Sequence, residues 1–320
     1  MVTFSIYSSG TQANVHHRLW YFGPLVVPVM RDKVAMKFTK MQAAGNDYLL
    51  VETGDRQRDW SEVAVAMLDR HYGIGADGLL LMLPSSNADF QMRIFNTDGS
   101  ESNTCGNGLR CMVKYFADRE LVDPETREIT VETMSGSRKA TASKKDGKVT
   151  GIRTGMGIPA FGKKDIPVVI GQGRDYVDIK SMTVYPIRVD GEELTLNILS
   201  MGNPQSVHFS QDPVANFPLS RIGPEVENHI IFPDRANFEV ARVLSRKQVE
   251  ARVWERGVGE TLASGSGACA VAVAAHLHEY IDNKVDIKMP GGILEVEWDG
   301  TGEVFISGPA GTVFTGEWPD

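Results

Sequence analysis

Apolar and polar residues alternate along much of the chain from Met36 onward, in short runs that end at Gly, Pro, Asn or Asp. Alternation with a period of two is typical of β-strands with one buried face. In the first half of the chain the pattern predicts strands at residues 36–41, 47–52, 77–84, 89–96, 127–133, 138–143 and 148–154. In the second half it predicts strands at residues 185–190, 194–199, 206–210, 237–244, 248–256, 285–292, 293–300 and 303–310.

Helical stretches interrupt the strands twice in each half. We predict helices at residues 61–73 and 106–119, and again near 218–230 and 266–281. The last helix contains ACAVAVAAHL, which is apolar nearly all round and must therefore be enclosed on every side. Many short strands are available to enclose it. We expect an α+β fold of two pseudo-symmetric domains, each a curled β-sheet or barrel around a central α-helix.

The order of strands and helices repeats, with a join near GMGIPAFG at residues 155–162. We assign residues 36–154 together with 309–320 to the first half, and residues 155–308 to the second half. Residues 1–35 follow neither pattern, because their apolar stretch LWYFGPLVVPVM is broken by two prolines and no small-residue cleavage site follows it. We expect these residues to form an N-terminal extension that is disordered or lies upstream of the true start.

Composition narrows the classes of function. The 320 residues carry a formal net charge of −8 and no long block of Lys or Arg, so nucleic acids and membrane surfaces are poor partners. No apolar run approaches the roughly 18–20 residues that span a bilayer. Three cysteines without CxxC spacing argue against disulfides and zinc, and for a reducing compartment. We expect a cytoplasmic protein that holds no metal and acts on a small molecule.

Two matching glycine-rich segments lead into helices: CGNG at residues 105–108, the first glycine corner, and SGSG at residues 264–267, the second glycine corner. A helix N-terminus has unpaired N–H groups and a partial positive charge, so it attracts an anion such as a carboxylate. The same position shifts a thiol toward thiolate, which predicts an activated sulfur at Cys105. The alternative is structural, with Cys105 only capping its helix and the glycines only making a turn.

Both corners facing one cleft would place a carboxylate-bearing carbon between two proton-transfer groups. That arrangement inverts a stereocentre, because one group removes the α-proton and the other returns a proton to the opposite face. GIGADG at residues 73–78 matches GxGxxG, but it follows a helix and precedes a strand, the wrong order for dinucleotide binding. No lysine lies in a context typical of a pyridoxal Schiff base, so we expect no cofactor.

Six motifs resemble those of a known family, and they occur in that family's order. They are GND (45–47), IFNTDGSE (94–101), CGNGLRC (105–111), SMGNP (200–204), RANFE (235–239) and ERGVGETLASGSGACA (255–270). From Met36 onward the chain is similar to the diaminopimelate epimerase family. The resemblance implies the two-half fold and a pyridoxal-independent, two-thiol epimerisation of LL-2,6-diaminopimelate to the meso form, on the route to lysine and, in many bacteria, peptidoglycan. We further expect a homodimer.

The resemblance also implies roles for individual residues. Cys105 corresponds to one catalytic thiol, and Ser264 occupies the place of the other. Glu255 corresponds to a residue that orients the reacting amino group and thiols, and Arg256 to one that binds the distal carboxylate. The cradle for the carboxylate at the reacting centre corresponds to Gly106, Asn107, Gly265 and Ser266. The substrate-binding asparagines correspond to Asn46, Asn96, Asn203 and Asn237.

Two positions depart from the family's pattern, since the family has Cys at Ser264 and usually His at Gln205. A serine hydroxyl is far less acidic than a thiol, and a glutamine does not titrate. One interpretation is an epimerase that works at reduced rate or was arrested by mutagenesis. A second is a one-thiol relative that acts as a dehydratase or exchanges the α-proton on one face. A third is a non-catalytic amino-acid binder.

Overall fold

The computed structural model describes residues 35–102, 105–119, 128–146, 148–162, 166–169 and 177–319, so the expected N-terminal extension lies, but for residue 35, outside the described residues. The first half contains β1 (Met36–Ala43), β2 (Asn46–Glu52), α1 (Trp60–Leu68), β3 (Gly78–Leu83), β4 (Phe90–Asn96), α2 (Gly106–Asp118), β5 (Ile129–Thr133), β6 (Gly136–Lys145) and β7 (Lys148–Gly155).

The second half begins with β8 (Val177–Ile179), β9 (Met182–Val189), β10 (Glu192–Ser200), β11 (Pro204–Phe209), α3 (Leu219–Glu227), β12 (Asn237–Ser245), β13 (Gln248–Glu255) and β14 (Gly259–Thr261). It continues with α4 (Gly265–Leu277), β15 (Lys284–Met289), β16 (Gly292–Glu297) and β17 (Phe305–Gly308), and the last strand of the chain is β18 (Gly311–Trp318).

Backbone hydrogen bonds join the described strands into one continuous mixed sheet. The order along it is β18-β1-β2-β3-β4-β5-β6-β7-β17-β16-β15-β13-β12-β11-β10-β9-β8, and β14 pairs with β13 as well. The pair β7–β17 links the strands of the first half to those of the second.

The same pairing pattern occurs twice in this sheet. In the first half β2 is parallel to β3 and β4 is parallel to β5, and α1 and α2 form the two crossovers. In the second half β11 is parallel to β12 and β13 is parallel to β15, and α3 and α4 form the crossovers. Parallel pairs need such crossover connections. The predicted α+β fold class, with two pseudo-symmetric halves, is confirmed.

Each half curls its strands around one helix. Helix α2 contacts β1, β2, β3, β4, β6, β7 and β18, and helix α4 contacts β10, β11, β12, β13, β15, β16 and β17. Every residue of α4 is buried except Ser266 and His276. Cys111 and Cys269 lie inside the two central helices with no exposed surface, so both pack in the cores. The enclosure predicted from the all-apolar helix is what the structure has.

Helix α1 is shorter than the predicted stretch 61–73. It ends at Leu68 because Asp69 leaves the helical conformation and its carboxylate accepts hydrogen bonds from the backbone N–H groups of His71 and Tyr72, at 2.7 Å each. An aspartate that bonds the backbone two and three residues ahead favours a turn over a continued helix. Three strands were not predicted, namely β8, β14 and β18, and two of these are only three residues long.

The β1–β2 hairpin brings the first half against the second. Its two turn residues, Ala44 and Gly45, have φ of 51° and 89°, as a tight two-residue hairpin requires. A Cβ on Gly45 would lie 3.0 Å from the Leu262 side chain, and one on Gly291 would lie 2.0 Å from the carbonyl oxygen of Ala44. The hairpin tip is therefore seated on the second half, and Asn46 follows directly after it.

Candidate active site

The N-termini of the two central helices meet at the boundary between the halves. A Cβ placed on Gly265 would lie only 3.5 Å from the Cα of Gly106, and the Met156 side chain lies against both glycines. The side-chain amide of Asn107 donates to the carbonyl oxygen of Ala263 at 3.2 Å, so it crosses from one glycine corner to the other. The two helix tips are thus in van der Waals contact, and the tightest constraint is at Gly106, where a Cβ would lie 3.0 Å from the Met156 Cε.

Cys105 and Ser264 occupy the same place at the two helix tips. Cys105 is the N-cap of α2, and its Sγ accepts from the Gly108 N–H at 3.1 Å. Ser264 is the N-cap of α4, and its Oγ accepts from the Gly267 N–H at 3.3 Å. The capping role is thus real in both corners. It also fixes the thiol and the hydroxyl beside the unpaired N–H groups of the first helical turns.

The Cys105 thiol is more enclosed than its position in the sequence indicated. Its Sγ lies 3.2 Å from the hydroxyl oxygen of Tyr48, a buried residue. Burial raises the pKa of Cys105, and the hydrogen bonds from Tyr48 and Gly108 lower it without cancelling that effect. The expected shift toward thiolate is therefore wrong, because desolvation penalises the anion more than the hydrogen bonds at the helix tip favour it.

Arg110 is a buried cation behind the first glycine corner. It has no exposed surface, and its Nη2 donates to the Asn107 side-chain oxygen at 2.6 Å. No carboxylate of the described residues lies within 4 Å of its guanidinium, and its Nε has no hydrogen-bond partner. Its charge lowers the pKa of Cys105. The guanidinium thus holds Asn107 in place and favours the thiolate electrostatically.

The second glycine corner has carboxyl groups behind it instead. Ser264 Oγ donates to Glu255 Oε2 at 3.2 Å, and Thr261 Oγ1 donates to Glu255 Oε1. Burial raises the pKa of Glu255, and the hydrogen bonds from Thr261 and Ser264 oppose the shift. The charge of Glu255 also raises the pKa of Cys105. Glu255 therefore lies within electrostatic range of both predicted proton-transfer residues.

Glu239 is a second carboxyl group on this side, and unlike Glu255 it is fully buried. It has no exposed surface, and neither of its carboxyl oxygens has a hydrogen-bond partner. A Cβ on Gly267 would lie 2.9 Å from its Oε1, which places the carboxyl group under the first turn of α4. Burial, followed by the charge of Glu255, raises the pKa of Glu239 well above its usual range.

The predicted asparagines lie around these corners at the ends of strands. Asn237 is buried at the start of β12, and its side-chain oxygen accepts from the Arg256 N–H at 2.8 Å. Asn46 begins β2, two residues before Tyr48, and so shares the strand face that contacts Cys105. Asn96 ends β4, and its amide nitrogen donates to Ser100 Oγ at 2.9 Å rather than to another predicted site residue. Its exposed side chain is the least connected of the set.

Gln205, at the position where the resemblance implies an imidazole, is fully enclosed. Its Nε2 donates to the Asn203 side-chain oxygen at 2.7 Å, whereas its Oε1 is buried without a partner. Gln205 pairs with Asn237 across the parallel strands β11 and β12. His208 is three residues further along β11, and it contacts the Thr195 carbonyl oxygen and the Phe217 ring instead of Gln205 or Asn203.

Sequence reasoning missed Tyr48, Arg110 and Glu239. Periodicity could have identified each of them from a residue that was predicted. Tyr48 and Glu239 lie two residues after Asn46 and Asn237 on their strands, and side chains separated by two share a face. Arg110 lies three residues after Asn107 on a helix, where side chains also meet.

Other kinds of site find little support in the described part of the chain. No three of its His, Cys, Asp and Glu residues are grouped so as to hold a metal ion. None of its helices combines the length and apolar character needed to cross a membrane.

Comparison with known proteins points to one family. The sequence model of that family, diaminopimelate epimerase, matches residues 38–161 and 198–313. A diaminopimelate epimerase of Agathobacter rectalis is 45% identical over 284 residues, which is 88% of this chain and 99% of that relative. Diaminopimelate epimerases of Acetivibrio thermocellus and Desulfovibrio desulfuricans are 43% and 44% identical, over 88% and 89% of this chain and 98% and 99% of their own lengths.

Solved structures share the fold at low identity. A hydroxyproline epimerase of Agrobacterium vitis superposes with a TM-score of 0.65 at 14% identity, over 88% of this chain and 90% of that one. A PhzF-family phenazine biosynthesis protein of Bacillus anthracis gives 0.63 at 18% identity, over 88% and 98%. These likenesses concern the fold alone, whereas the sequence matches cover most of the chain in register. The chain belongs to the diaminopimelate epimerase family.

Proposed function

We propose that this protein interconverts LL-2,6-diaminopimelate and meso-2,6-diaminopimelate, an isomerisation in the biosynthesis of lysine. The observation that carries the proposal is the contact between the two helix tips, with Cys105 and Ser264 as their N-caps. A carbon atom held between these caps has a proton-transfer group on each face. Inversion of an amino-acid α-carbon needs that arrangement.

The α-carboxylate of the substrate binds at the paired helix tips. The first N–H groups of each helix, those of Gly106 and Asn107 and of Gly265 and Ser266, have no carbonyl partner within the helix. Together with the partial positive charges of α2 and α4 they favour an anion. The same N–H groups stabilise the extra negative charge that develops on the carboxylate when the α-proton leaves.

The serine side works through Glu255. Ser264 Oγ takes the α-proton as its own proton passes along the existing hydrogen bond to Glu255 Oε2. The raised pKa of Glu255 makes its carboxylate a better proton acceptor than an ordinary glutamate. The Cys105 thiol then gives its proton to the opposite face of the carbanion and is left as thiolate. In the reverse direction the thiolate takes the α-proton, and Ser264 returns one that Glu255 replaces.

The thiolate left on Cys105 is stabilised where it forms. The Tyr48 hydroxyl and the Gly108 N–H both reach Sγ, and the guanidinium of Arg110 adds a positive charge behind it. The distal end of the substrate carries a second amino group and a second carboxylate. Arg256 binds that carboxylate, since a guanidinium matches it with two hydrogen bonds, and the asparagines Asn46, Asn96, Asn203 and Asn237 bind the remaining polar groups.

The proposal extends to the setting of the reaction. The N–H groups at the helix tips stabilise the negative charge of the carbanion, so the proposed reaction uses no pyridoxal phosphate. We place the enzyme in the cytoplasm, as a homodimer that binds no nucleic acid. Residues 36–154 with 309–320 act as one half and 155–308 as the other, which the pairing of β18 with β1 supports. The exposed side chains of Val313 and Phe314 on β18 offer an apolar surface for the dimer.

Exchange in heavy water tests the function. The protein is incubated with LL- or meso-diaminopimelate in D2O, and α-deuteration and isomer composition are followed by NMR and chiral chromatography. We expect deuterium at the α-carbon together with interconversion of the isomers. Exchange without interconversion would identify a one-sided proton exchanger, and formation of a keto acid and ammonia from a hydroxylated amino acid would identify a dehydratase. Ligand-induced stabilisation without either reaction would leave only a binder, and each of these outcomes overturns the proposal.

A further inference from the structure

Glu239 is a buried polar residue that has no role in the proposed reaction. Its side chain is completely buried, and both carboxyl oxygens lack a hydrogen-bond partner. An isolated carboxylate without partners is among the most costly groups to bury, so a glutamate in such a place holds a proton. A carboxylic acid has one O–H to donate, and a buried donor finds an acceptor.

An unused acceptor lies on the neighbouring strand. In the parallel pair β11–β12, Gln205 is opposite Asn237 and Val207 is opposite Glu239. Gln205 and Glu239 therefore share one face of the sheet and are diagonal neighbours, a separation that long side chains span. The Oε1 of Gln205 is itself buried and unpartnered. Two orphaned polar groups, one donor and one acceptor, thus face the same enclosed space beneath α4.

Gln205 also contacts Asn203, one of the predicted substrate-binding asparagines. Its Nε2 donates to the Asn203 side-chain oxygen at 2.7 Å. With that oxygen engaged, the Asn203 amide nitrogen is the group left to face a ligand. Rotation of an amide group by half a turn exchanges its oxygen and nitrogen at little steric cost. A hydrogen bond that fixes the orientation of the Gln205 amide therefore also fixes whether the oxygen or the nitrogen of Asn203 faces the substrate.

We propose that Glu239 is a positioning residue in its neutral carboxylic acid form, whose O–H donates to the Gln205 amide oxygen and thereby orients Asn203 for substrate binding. The arrangement accounts for a glutamine where an imidazole is usual, because the amide offers an acceptor to Glu239 and a donor to Asn203 at once. The role in substrate binding rests on the proposed function, whereas the protonation state of Glu239 does not.

The groups that face Glu239 favour the neutral form. From β13, Glu255 is the titratable neighbour, and its negative charge raises the pKa of Glu239 further. From β11 the facing side chains are Gln205 and Val207, which do not titrate. From α4 the nearest group is Gly267, and the thiol of Cys269 lies deeper in the helix. The backbone N–H groups of Ser206 and of Glu239 itself lower the pKa without cancelling the effect of burial, and no cation of the described residues is among the groups that shift it.

Stability as a function of pH tests the protonation state without any substrate. An acid whose pKa is raised by folding binds its proton more tightly in the folded state, so the folded state loses stability as pH rises from the unfolded pKa toward the folded one. Glu239→Gln removes that loss. We expect its Tm to match wild type within about 2 °C at pH 5 and to exceed it by at least about 3 °C at pH 9. A Tm difference of the opposite sign, growing with pH, would mean an ionised Glu239 and would overturn the proposal.

Glu227→Gln is the matched control. Glu227 is also a buried glutamate, but its oxygens accept from Trp254 Nε1 at 2.7 Å, from the Gly257 N–H at 2.9 Å and from Arg235 at 3.1 Å. Loss of these bonds lowers the Tm of the control throughout the range.

Kinetics tests the positioning role. Glu239→Gln keeps a donor for Gln205, so we expect a KM for diaminopimelate within about threefold of wild type at pH 7.5. Glu239→Leu removes the donor, and we expect its KM to rise about tenfold with kcat changed less. Equal KM values for the two variants would overturn the orienting role even if the pH–stability result holds. Absence of any turnover in wild type would instead contradict the proposed function and leave the stability result intact.

Discussion

The two glycine corners share a backbone and differ in the charges behind it. Each places a small polar residue as N-cap, its side chain bonded to the third helical N–H, at a helix tip that touches the other. Behind Cys105 lies the buried cation Arg110, and behind Ser264 lie the carboxyl groups of the half-buried Glu255 and the fully buried Glu239. In the proposed reaction the helix tips bind the carboxylate, and the charged groups around each cap assist its proton transfer.

The difference has a chemical reason. A thiol is acidic enough to lose and regain a proton itself, so at Cys105 the cation Arg110, which opposes the effect of burial on the pKa, can assist it directly. A hydroxyl cannot, so it needs a carboxyl group that accepts and returns the proton for it. In the proposed reaction Glu255, which accepts a hydrogen bond from Ser264, supplies the titrating group that the serine lacks.

The largest expected effect comes from removing the thiol. Cys105→Ala eliminates the proton-transfer group on one face, and we expect interconversion of the isomers to fall by about 10³–10⁴-fold. Deuterium exchange at the α-carbon of the isomer that presents its α-proton to Ser264 should be less affected than interconversion. Cys111→Ala, which changes a buried cysteine on the same helix, is the control and should retain most activity. A comparable loss in both variants would point to damaged folding instead.

Neutralising Glu255 comes next. Glu255→Gln keeps the shape and removes the proton acceptor behind Ser264, so we expect kcat to drop by about 10²–10³-fold. Glu260→Gln is a suitable control, because Glu260 is an exposed residue of the same hairpin that pairs with Arg252 at 2.8 Å. Steady-state kinetics with both isomers measures the effect. Unchanged kcat in Glu255→Gln would break the proposed relay through Ser264.

Introducing a thiol at the second glycine corner would give both helix tips the same proton-transfer group. We expect Ser264→Cys to raise kcat by about 10–10²-fold, because the group that contacts the carbanion then titrates on its own. The same change should reduce the cost of Glu255→Gln, and a double-mutant cycle measures that coupling. Additive effects of the two substitutions would mean that Glu255 does not act through residue 264.

The smallest effect concerns the cation at the first corner. The raised pKa of Cys105 means that its alkylation by iodoacetamide should have a pH midpoint above the roughly 8.5 of a free cysteine. Arg110→Gln removes the positive charge and should move that midpoint higher still, slowing alkylation a few-fold at pH 8. Lys114→Gln, on the same helix but paired with Asp118 at 2.8 Å, should leave the midpoint unchanged. Peptide mapping assigns the reaction to Cys105, and an unmoved midpoint in Arg110→Gln would contradict its role.

The hydrophobic pattern predicted much of the fold, because the core of each half depends on residues that are close in sequence. The all-apolar α4 and the alternating strands identified the enclosed helices and most of the sheet. What periodicity could not supply was long-range pairing. The strand β18 has an exposed side-chain pattern and owes its conformation to β1, at the other end of the described chain.

The candidate site divides in the same way. The glycine corners were visible because a helix N-terminus is a local feature. The charges behind them were not, since Arg110 is a cation enclosed without a carboxylate and Glu239 a carboxyl enclosed without a partner. From sequence alone, Arg and Glu residues are expected at the protein surface. The predicted direction of the pKa shift of Cys105 was wrong for this reason. The cost of desolvation depends on neighbouring residues that only the folded chain brings together.

The pairing of β18 with β1 has a consequence for how the chain is made. The ribosome synthesises β1 first among the described strands and β18 last, so β1 must wait for its second neighbour until synthesis is nearly complete. The second half, whose strands β8 to β17 pair mostly among themselves, can assemble while the nascent chain is still attached. Removal of residues 311–318 would leave a finished second half beside a first half whose sheet edge has moved from the largely exposed β18 to β1, a strand with more buried side chains and a greater tendency to aggregate.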